Sequence, residues 1–174
     1  DWNGICIEPN PKFYKKLQKN RKCKLTNIVI DKENDKEILF RTDNEECGGI
    51  VDDDTDNNYK TRNKQLKKAT ILKLKTKTLE YILDFFKAPK VIDYLSLDIE
   101  GAEERVLLNF PFDKYKFLSI TIERPTEKLD KKLFENGYIF CKTRSYDSFY
   151  VHKSISNLEE IPKEKYKPVP KKKW

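Results

Sequence analysis

The chain of 174 residues has no Met, five Gly and one His. Each of these low counts argues against a particular kind of N-terminus, binding motif or catalytic residue. Because position 1 is Asp rather than Met, we expect the natural N-terminus to lie upstream of Asp1. The few Gly form no G-x-G-x-x-G motif, the usual phosphate-binding turn of dinucleotide-binding folds. The single His152 lies in a predicted hairpin near the end of the chain, and we predict an exposed rather than a catalytic side chain.

Long apolar runs and paired Cys motifs are also absent. No stretch approaches the ~20 apolar residues that a membrane-spanning helix needs, and no signal peptide is visible. The Cys residues show no C-x-x-C spacing, and two of them lie in apolar, strand-like runs. This pattern predicts reduced, mostly buried thiols rather than disulfides or zinc ligands, and hence a cytoplasmic protein. The four residues are Cys6, Cys23, Cys47 and Cys141.

Charged residues are plentiful, but the positive excess is concentrated at the C-terminus. The formal net charge is +7, and residues 163–174 contribute +5 of it through six Lys and one Glu. The remaining chain is nearly neutral, which argues against a nucleic-acid-binding face. We predict one domain over residues 1–153 and a basic, Pro- and Lys-rich tail over residues 154–174. A disordered, solvated tail is favoured over a specific ligand for RNA or anionic lipid.

The N-terminal half predicts a strand, a helix and a strand, followed by an insertion. Residues 4–8 form a short buried strand that ends in an acid. Asn10 and Pro11 then form a favourable helix start, with an N-cap and a proline at the first helical position. The helix ends near Asn20. We expect further strands over residues 25–30, 36–41 and 70–75, and a long polar loop over residues 43–69.

The C-terminal half alternates strands and helices more regularly. Thr78 and Thr126 are placed to cap two helices, which Pro89 and Gly137 are placed to end. The alternation predicts an α/β fold with a mostly parallel sheet and an antiparallel hairpin at its C-terminal end. Its other segments are a strand at 91–98, a helix at 102–110, a strand at 117–123 and a hairpin at 138–142 and 148–152.

Three predicted strands end in a carboxylate. Glu8 ends the first strand and Glu123 ends a later one, while Asp98 ends the strand before Glu123 and is followed by Glu100. Ligands of open α/β sheets bind outside the carboxyl ends of the strands, where acids could hold a ribose, a substrate hydroxyl or a metal ion. Each acid alone could equally be solvated or could cap the next helix. Their recurrence, with Gly101 beside them, favours a shared site.

Five segments resemble the FkbM-type methyltransferase family, in the order and at the spacing of that family. The resemblance covers residues 1–153, and it implies a Rossmann-like methyltransferase fold that uses S-adenosylmethionine. It also implies an O-methyltransferase that acts on a hydroxyl of a sugar, a glycan or a small metabolite. The segments are GICIEPNPKFYKKLQKNRKC, GGIVDDD, IDYLSLDIEGAEERVLLNFPFDKYKF, ITIE and YDSFYVHK.

The resemblance implies a set of cofactor contacts in the first half of the chain. Glu8 would bind the ribose hydroxyls of S-adenosylmethionine, and Asn10 would help to shape the turn beneath them. Asn27 would lie near the adenine. Gly48 and Gly49 could line the same site.

The resemblance also implies that Asp98 and Glu100 lie where the methyl donor meets its acceptor. Methyl transfer needs an acceptor oxygen held in line and relieved of its proton. We favour Asp98 as the base and Glu100 as the group that orients the substrate, although the reverse assignment stays open. Glu123 is expected on the substrate side. Asp98 and Glu123 could together hold Mg²⁺, but we expect no bound metal.

One part of the family pattern has no counterpart in the sequence. The family begins with a strand and a glycine-containing turn, which spacing places about a dozen residues before Asp1. We therefore predict a fold without its first strand and Gly-rich turn, and a poor binder of S-adenosylmethionine on its own.

Two other functions are alternatives to the methyltransferase. A non-catalytic, methyltransferase-like interaction module or a degenerate fragment is the main alternative. A nucleotide-dependent dehydrogenase is disfavoured, because it leaves the LSLDIEGAE segment without a role. The expected partner is a small-molecule or glycan substrate, with no specific nucleic acid and no membrane span.

Overall fold

The computed structural model describes residues 3–43 and 48–169, which fall into two compact units, Asp1–Lys87 and Ala88–Trp174. Within these ranges no helix has the length and apolar character that crossing a membrane requires. Cys6, Cys23 and Cys141 are free thiols, whereas Cys47 lies outside the described residues.

Short strands and three helices make up the described part of the Asp1–Lys87 unit. In chain order they are β1 (Ile5–Ile7), α1 (Pro11–Asn20), β2 (Lys24–Thr26), β3 (Val29–Ile30), β4 (Glu37–Arg41), β5 (Gly49–Ile50), α2 (Tyr59–Leu66), β6 (Ile71–Lys77) and α3 (Leu79–Phe85). The β1 and β2 strands form a parallel pair, in which Cys6 is opposite Leu25. The other sheet has the order β3-β6-β4-β5.

Capping side chains fix where α1 and α3 begin, as the sequence predicts. The Asn10 side chain accepts a hydrogen bond from the Lys12 backbone N–H (3.1 Å), and Pro11 occupies the first helical position. The Thr78 hydroxyl accepts one from the Tyr81 N–H (3.1 Å). Each bond satisfies a backbone donor that the first helical turn leaves without an intrahelical partner.

Two predictions for this unit are wrong. Residues 43–69 are not a continuous loop, because they contain β5 and α2. The α2 helix lacks an apolar repeat and instead depends on its Asn58 cap and on burial of Leu66. Residues 25–30 are not one strand: β2 pairs with β1, whereas β3 pairs with β6 in the other sheet. A sequence pattern does not specify which partner a short apolar strand takes.

The Ala88–Trp174 unit is built on a four-stranded sheet with the order β7-β8-β10-β9. Its elements are β7 (Val91–Leu97), α4 (Glu103–Leu107), β8 (Lys116–Glu123), α5 (Glu127–Glu135), β9 (Tyr138–Arg144), β10 (Asp147–His152) and a 3₁₀ turn (Leu158–Glu160). The Thr126 hydroxyl caps α5, and Gly137 follows that helix at a φ of +83°, as the sequence predicts. The hairpin of β9 and β10 is also confirmed.

The fold is mixed α/β, with parallel and antiparallel pairings. Among the described strands three pairings are parallel (β1–β2, β3–β6 and β7–β8). The other four are antiparallel (β4–β5, β4–β6, β8–β10 and β9–β10). The described strands therefore do not form the mostly parallel sheet that the sequence predicts.

His152 also differs from expectation. It is buried rather than exposed, and its Nδ1 lies 2.7 Å from the Ser154 hydroxyl.

The described part of the basic tail is mostly exposed but contacts the elements before it. The Glu164 N–H donates to the Cys141 carbonyl of β9 (2.6 Å), and the Tyr166 hydroxyl donates to Asp130 (2.7 Å). These bonds place the segment beside β9, the edge strand of the sheet.

Candidate active site

Carboxylates from two neighbouring strands meet at one end of the β7-β8-β10-β9 sheet. The parallel pairing of Leu97 with Ile122 brings together the residues that follow, Asp98 and Glu123. With Glu100 they form a cluster in which one carboxylate oxygen from each residue lies within 4.8 Å of the others. The structure thus brings together Asp98, Glu100 and Glu123 among the predicted acids, whereas Glu8 follows a strand of the separate β1–β2 pair.

The ionisation of Asp98 depends on this crowding. Asp98 is exposed at the sheet edge, yet nearby protein atoms exclude water from part of its carboxylate, and this desolvation raises its pKa to about 6. The charge of Glu123, a hydrogen bond shared with Glu123 and the charge of Asp147 act in the same direction. The charge of Arg124 opposes the rise. Two carboxyl groups that share a proton titrate as a pair, because ionising both at once is costly. The pair can therefore accept and release a proton near neutral pH.

Arg124 holds the other member of the pair in place. Its Nε donates to the Glu123 carboxylate at 3.0 Å, and its terminal Nη2 donates to the same oxygen. The Arg124 backbone has a φ of +45°, and its N–H donates to the Tyr146 carbonyl (2.8 Å). The Arg124 guanidinium lies 5.3 Å from the centre of the Tyr146 ring. These contacts fix the direction in which Glu123 points.

Asp98 and Glu100 lie on a tight turn that leads from β7 to α4. Glu100 has a φ of +58° and Gly101 a φ of +91°, so two successive residues adopt left-handed backbone. Gly tolerates this conformation, whereas a residue with a Cβ does so at a cost. Oε1 of Glu103 accepts hydrogen bonds from the backbone N–H groups of Ile99 (2.7 Å) and Gly101 (3.4 Å).

Sequence reasoning missed Glu103, although a local signal was available. It is the first residue of α4, and the preceding N-cap residue, Ala102, has no side chain that could cap the helix. An acid in the first helical turn that reaches back to the preceding backbone is a recognised capping arrangement. Burial raises the pKa of Glu103 to about 8, while its hydrogen bonds to backbone N–H groups oppose the rise.

Glu8 lies apart from these acids in sequence and belongs to the Asp1–Lys87 unit. It follows β1, is half-buried, and accepts the Asn10 backbone N–H through Oε1 (2.8 Å). Burial raises the pKa of Glu8, and the Asn10 hydrogen bond opposes the rise. The carboxylate borders an open cleft of about 630 Å³. The cleft is lined by Glu8, Phe13, Lys16, Leu17, Asn20 and Arg21.

The remaining predicted cofactor residues have other surroundings. Asn10 is buried, and its side-chain N–H group donates to the Thr42 carbonyl (3.0 Å), so it supports the chain beneath Glu8. Asn27 is exposed between β2 and β3. Gly48 precedes β5, where Gly49 pairs with Arg41. The described lining of the Glu8 cleft includes neither Asn27 nor these two Gly.

Comparison with known families identifies the family of the chain. The model of the methyltransferase FkbM domain matches residues 1–140. The chain belongs to the FkbM methyltransferase domain family. The match includes Glu8 and the whole acid cluster of Asp98, Glu100 and Glu123. No curated protein and no solved structure matches the chain at a significant level.

The acid cluster has the oxygen ligands that Mg²⁺ and Ca²⁺ prefer. Convergent carboxylates are also common in proteins without a metal ion, and the mutual hydrogen bond of Asp98 and Glu123 supplies another reason for their approach. The absence of a bound metal ion stays a prediction from the sequence.

Proposed function

We propose that the protein is a cytoplasmic, S-adenosylmethionine-dependent O-methyltransferase with a Rossmann-like domain over residues 1–153. Its substrate would be a sugar, a glycan or another small metabolite with a reactive hydroxyl. Membership of the FkbM family supports methyl transfer. The observation that carries the proposal is the Asp98–Glu123 pair, in which Asp98 has a pKa of about 6. Such a carboxyl is mostly ionised at pH 7 and still basic enough to take a proton.

Asp98 is the residue to which we assign the acceptor proton. Its carboxylate would accept a hydrogen bond from the substrate hydroxyl and would take the proton as that oxygen attacks the methyl group. Glu123 would then stabilise the protonated Asp98 through the hydrogen bond that the two already share. Glu100, whose carboxylate lies in the same cluster, is assigned to orient the substrate.

Glu8 is the residue to which we assign the cofactor ribose. When bound, S-adenosylmethionine supplies an electrophilic methyl group. The Asn10 N–H fixes one oxygen of Glu8 at the border of the cleft, and a carboxylate so placed can accept hydrogen bonds from two neighbouring hydroxyls. Phe13 and Leu17 add apolar surface to the same cleft. The residues present therefore fit a ribose-bearing ligand.

Calorimetric titration of the full-length protein with S-adenosylhomocysteine tests the cofactor assignment. We expect saturable binding to wild type and at least about tenfold weaker binding to Glu8→Ala, because a hydrogen bond to a charged group contributes about 1.5–3 kcal/mol. Glu37→Ala is the matched control, since Glu37 is an exposed acid on β4 of the same unit.

The same titration separates the methyltransferase from a non-catalytic module. Absence of binding by wild type would favour the module. Binding that is equally strong in wild type and Glu8→Ala would contradict the role of Glu8 while leaving cofactor use intact.

A further inference from the structure

Glu103 is a buried acid that contacts the backbone of the turn that carries Asp98 and Glu100. Its side chain and backbone are 4% exposed. Through one oxygen it accepts the Ile99 N–H at 2.7 Å and the Gly101 N–H at 3.4 Å. These donors flank Glu100, so the carboxyl of Glu103 spans the residue whose φ of +58° is unfavourable for an L-amino acid.

The conformation of this turn decides where the cluster side chains point. Asp98 leaves β7 beside Glu123 of β8, and Glu100 returns to within 4.8 Å of both only because the backbone reverses at Glu100 and Gly101. A buried acceptor that binds both N–H groups stabilises this reversal. Without the Glu103 carboxyl, the N–H groups of Ile99 and Gly101 would lose this acceptor, and the turn could change its conformation.

We infer that Glu103 is a positioning residue, which locks the 98–101 turn so that Asp98 and Glu100 face Glu123. The contacts that hold the turn all lie within the Ala88–Trp174 unit. The effect of Glu103 on catalysis rests on the proposed methyl transfer.

The chemistry of the contact specifies which substitutions preserve it. The two N–H groups need an acceptor oxygen rather than a charge, and Gln supplies one at the same distance along the side chain as Glu. Glu103→Gln should therefore retain the turn. Glu103→Met has a similar volume and lacks the oxygen, so it should release the turn without opening a large cavity.

Site-resolved NMR titration of the carboxyl groups tests the inference without substrate or cofactor. Asp98→Asn identifies the Asp98 signal. We expect the upper titration midpoint of the Asp98–Glu123 pair at about 6 in wild type and in Glu103→Gln. In Glu103→Met it should fall by more than about one unit toward the ordinary Asp value of about 3.9.

Glu103 itself interacts electrostatically with Asp98, and Gln and Met both remove its ionisable group, so this loss is common to the two variants. The other ionisable groups around Asp98 are unchanged in both variants, and they are Glu100, Glu123, Asp147 and Arg124. Glu104→Ala is the matched control. Glu104 is the next acid on α4, but it accepts the Thr126 hydroxyl (2.5 Å) rather than contacting the turn, so the midpoint should not move.

An unchanged midpoint in Glu103→Met, or equal shifts in the Met and Gln variants, would overturn the inference. Should Glu103→Met fail to fold, Glu103→Asp takes its place, because its carboxylate is one methylene too short to reach both N–H groups. The expected fall in the midpoint is the same. Since no cofactor is present, a failure here is distinct from a failure to bind S-adenosylhomocysteine.

Discussion

Glu8 and Asp98 are both carboxylates that directly follow a strand, and partial desolvation raises the pKa of each. Their neighbours differ. Glu8 has one polar contact, the backbone N–H of Asn10, among the causes of its shift, and it borders an open cleft. Asp98 shares a hydrogen bond with Glu123 and interacts with the charges of Asp147 and Arg124. Because their surroundings differ, we propose different roles for them: Glu8 would hold a ligand and Asp98 would transfer a proton.

The largest expected effect separates these two roles. Asp98→Asn should lower the rate of methyl transfer by about 10²–10⁴-fold, the usual contribution of a general base, while the affinity for S-adenosylhomocysteine stays unchanged. The assay measures S-adenosylhomocysteine release from S-adenosylmethionine with a panel of sugars, oligosaccharides and hydroxylated metabolites. Asp93→Asn, an exposed acid on β7, is the control and should keep full activity. A loss of affinity for S-adenosylhomocysteine in Asp98→Asn would contradict the separation of proton transfer by Asp98 from cofactor binding by Glu8.

A smaller effect should distinguish Glu8 from the residue that supports it. Asn10→Ala removes the α1 cap and the bond to Thr42, and we expect it to lower the free energy of unfolding by about 1–2 kcal/mol. Asn10→Asp keeps the capping oxygen and should lose less. Denaturant unfolding measures both variants. Equal stability of Asn10→Ala and wild type would leave Asn10 without the supporting role assigned to it.

The smallest expected effect concerns the contribution of Asp98 to the stability of the folded protein. Its folded pKa is raised, so its contribution to stability is fully present below the unfolded pKa and is lost as the pH rises through about 6. Asp98 is exposed, so solvent screening reduces this contribution below what the pKa difference alone implies. Asp98→Asn, which cannot ionise, should therefore unfold with a free energy about 1 kcal/mol higher than wild type at about pH 8. The difference should vanish at about pH 4. Urea unfolding at the two pH values checks the sign, and a less stable variant at high pH would contradict the raised pKa.

Local structure was predictable from the sequence where a single side chain determines where a helix begins. The Thr78 and Thr126 caps are examples, since each acts within a single helical turn. The partners with which short strands pair were harder to predict. The residues of β2 and β3 form one apolar run in the sequence, yet the two strands belong to different sheets. The α2 helix was missed since tertiary burial of Leu66, rather than an apolar repeat, supports it.

The candidate site was predictable to a similar extent. Parallel strands that end in acids implied that Asp98 and Glu123 would meet, and they do. The place of Glu103 in the first turn of α4 indicated a capping acid. Its contact with the 98–101 turn was not predictable, because it depends on the positive φ of Glu100, which the residue type of Glu100 does not predict. The burial of His152 depends on packing against Tyr138 from the neighbouring strand, which is a tertiary contact.

The pH dependence of methyl transfer by the full-length protein tests the role of the Asp98–Glu123 pair most directly. In the role that we propose for Asp98 its deprotonated form is the base, so the rate should rise with pH through an apparent pKa of about 6 and level off above it. In Asp98→Asn the residual rate should lose this step. A wild-type rate that is constant from about pH 5 to about pH 8, or a step that persists in Asp98→Asn, would contradict the assignment of Asp98 as the base.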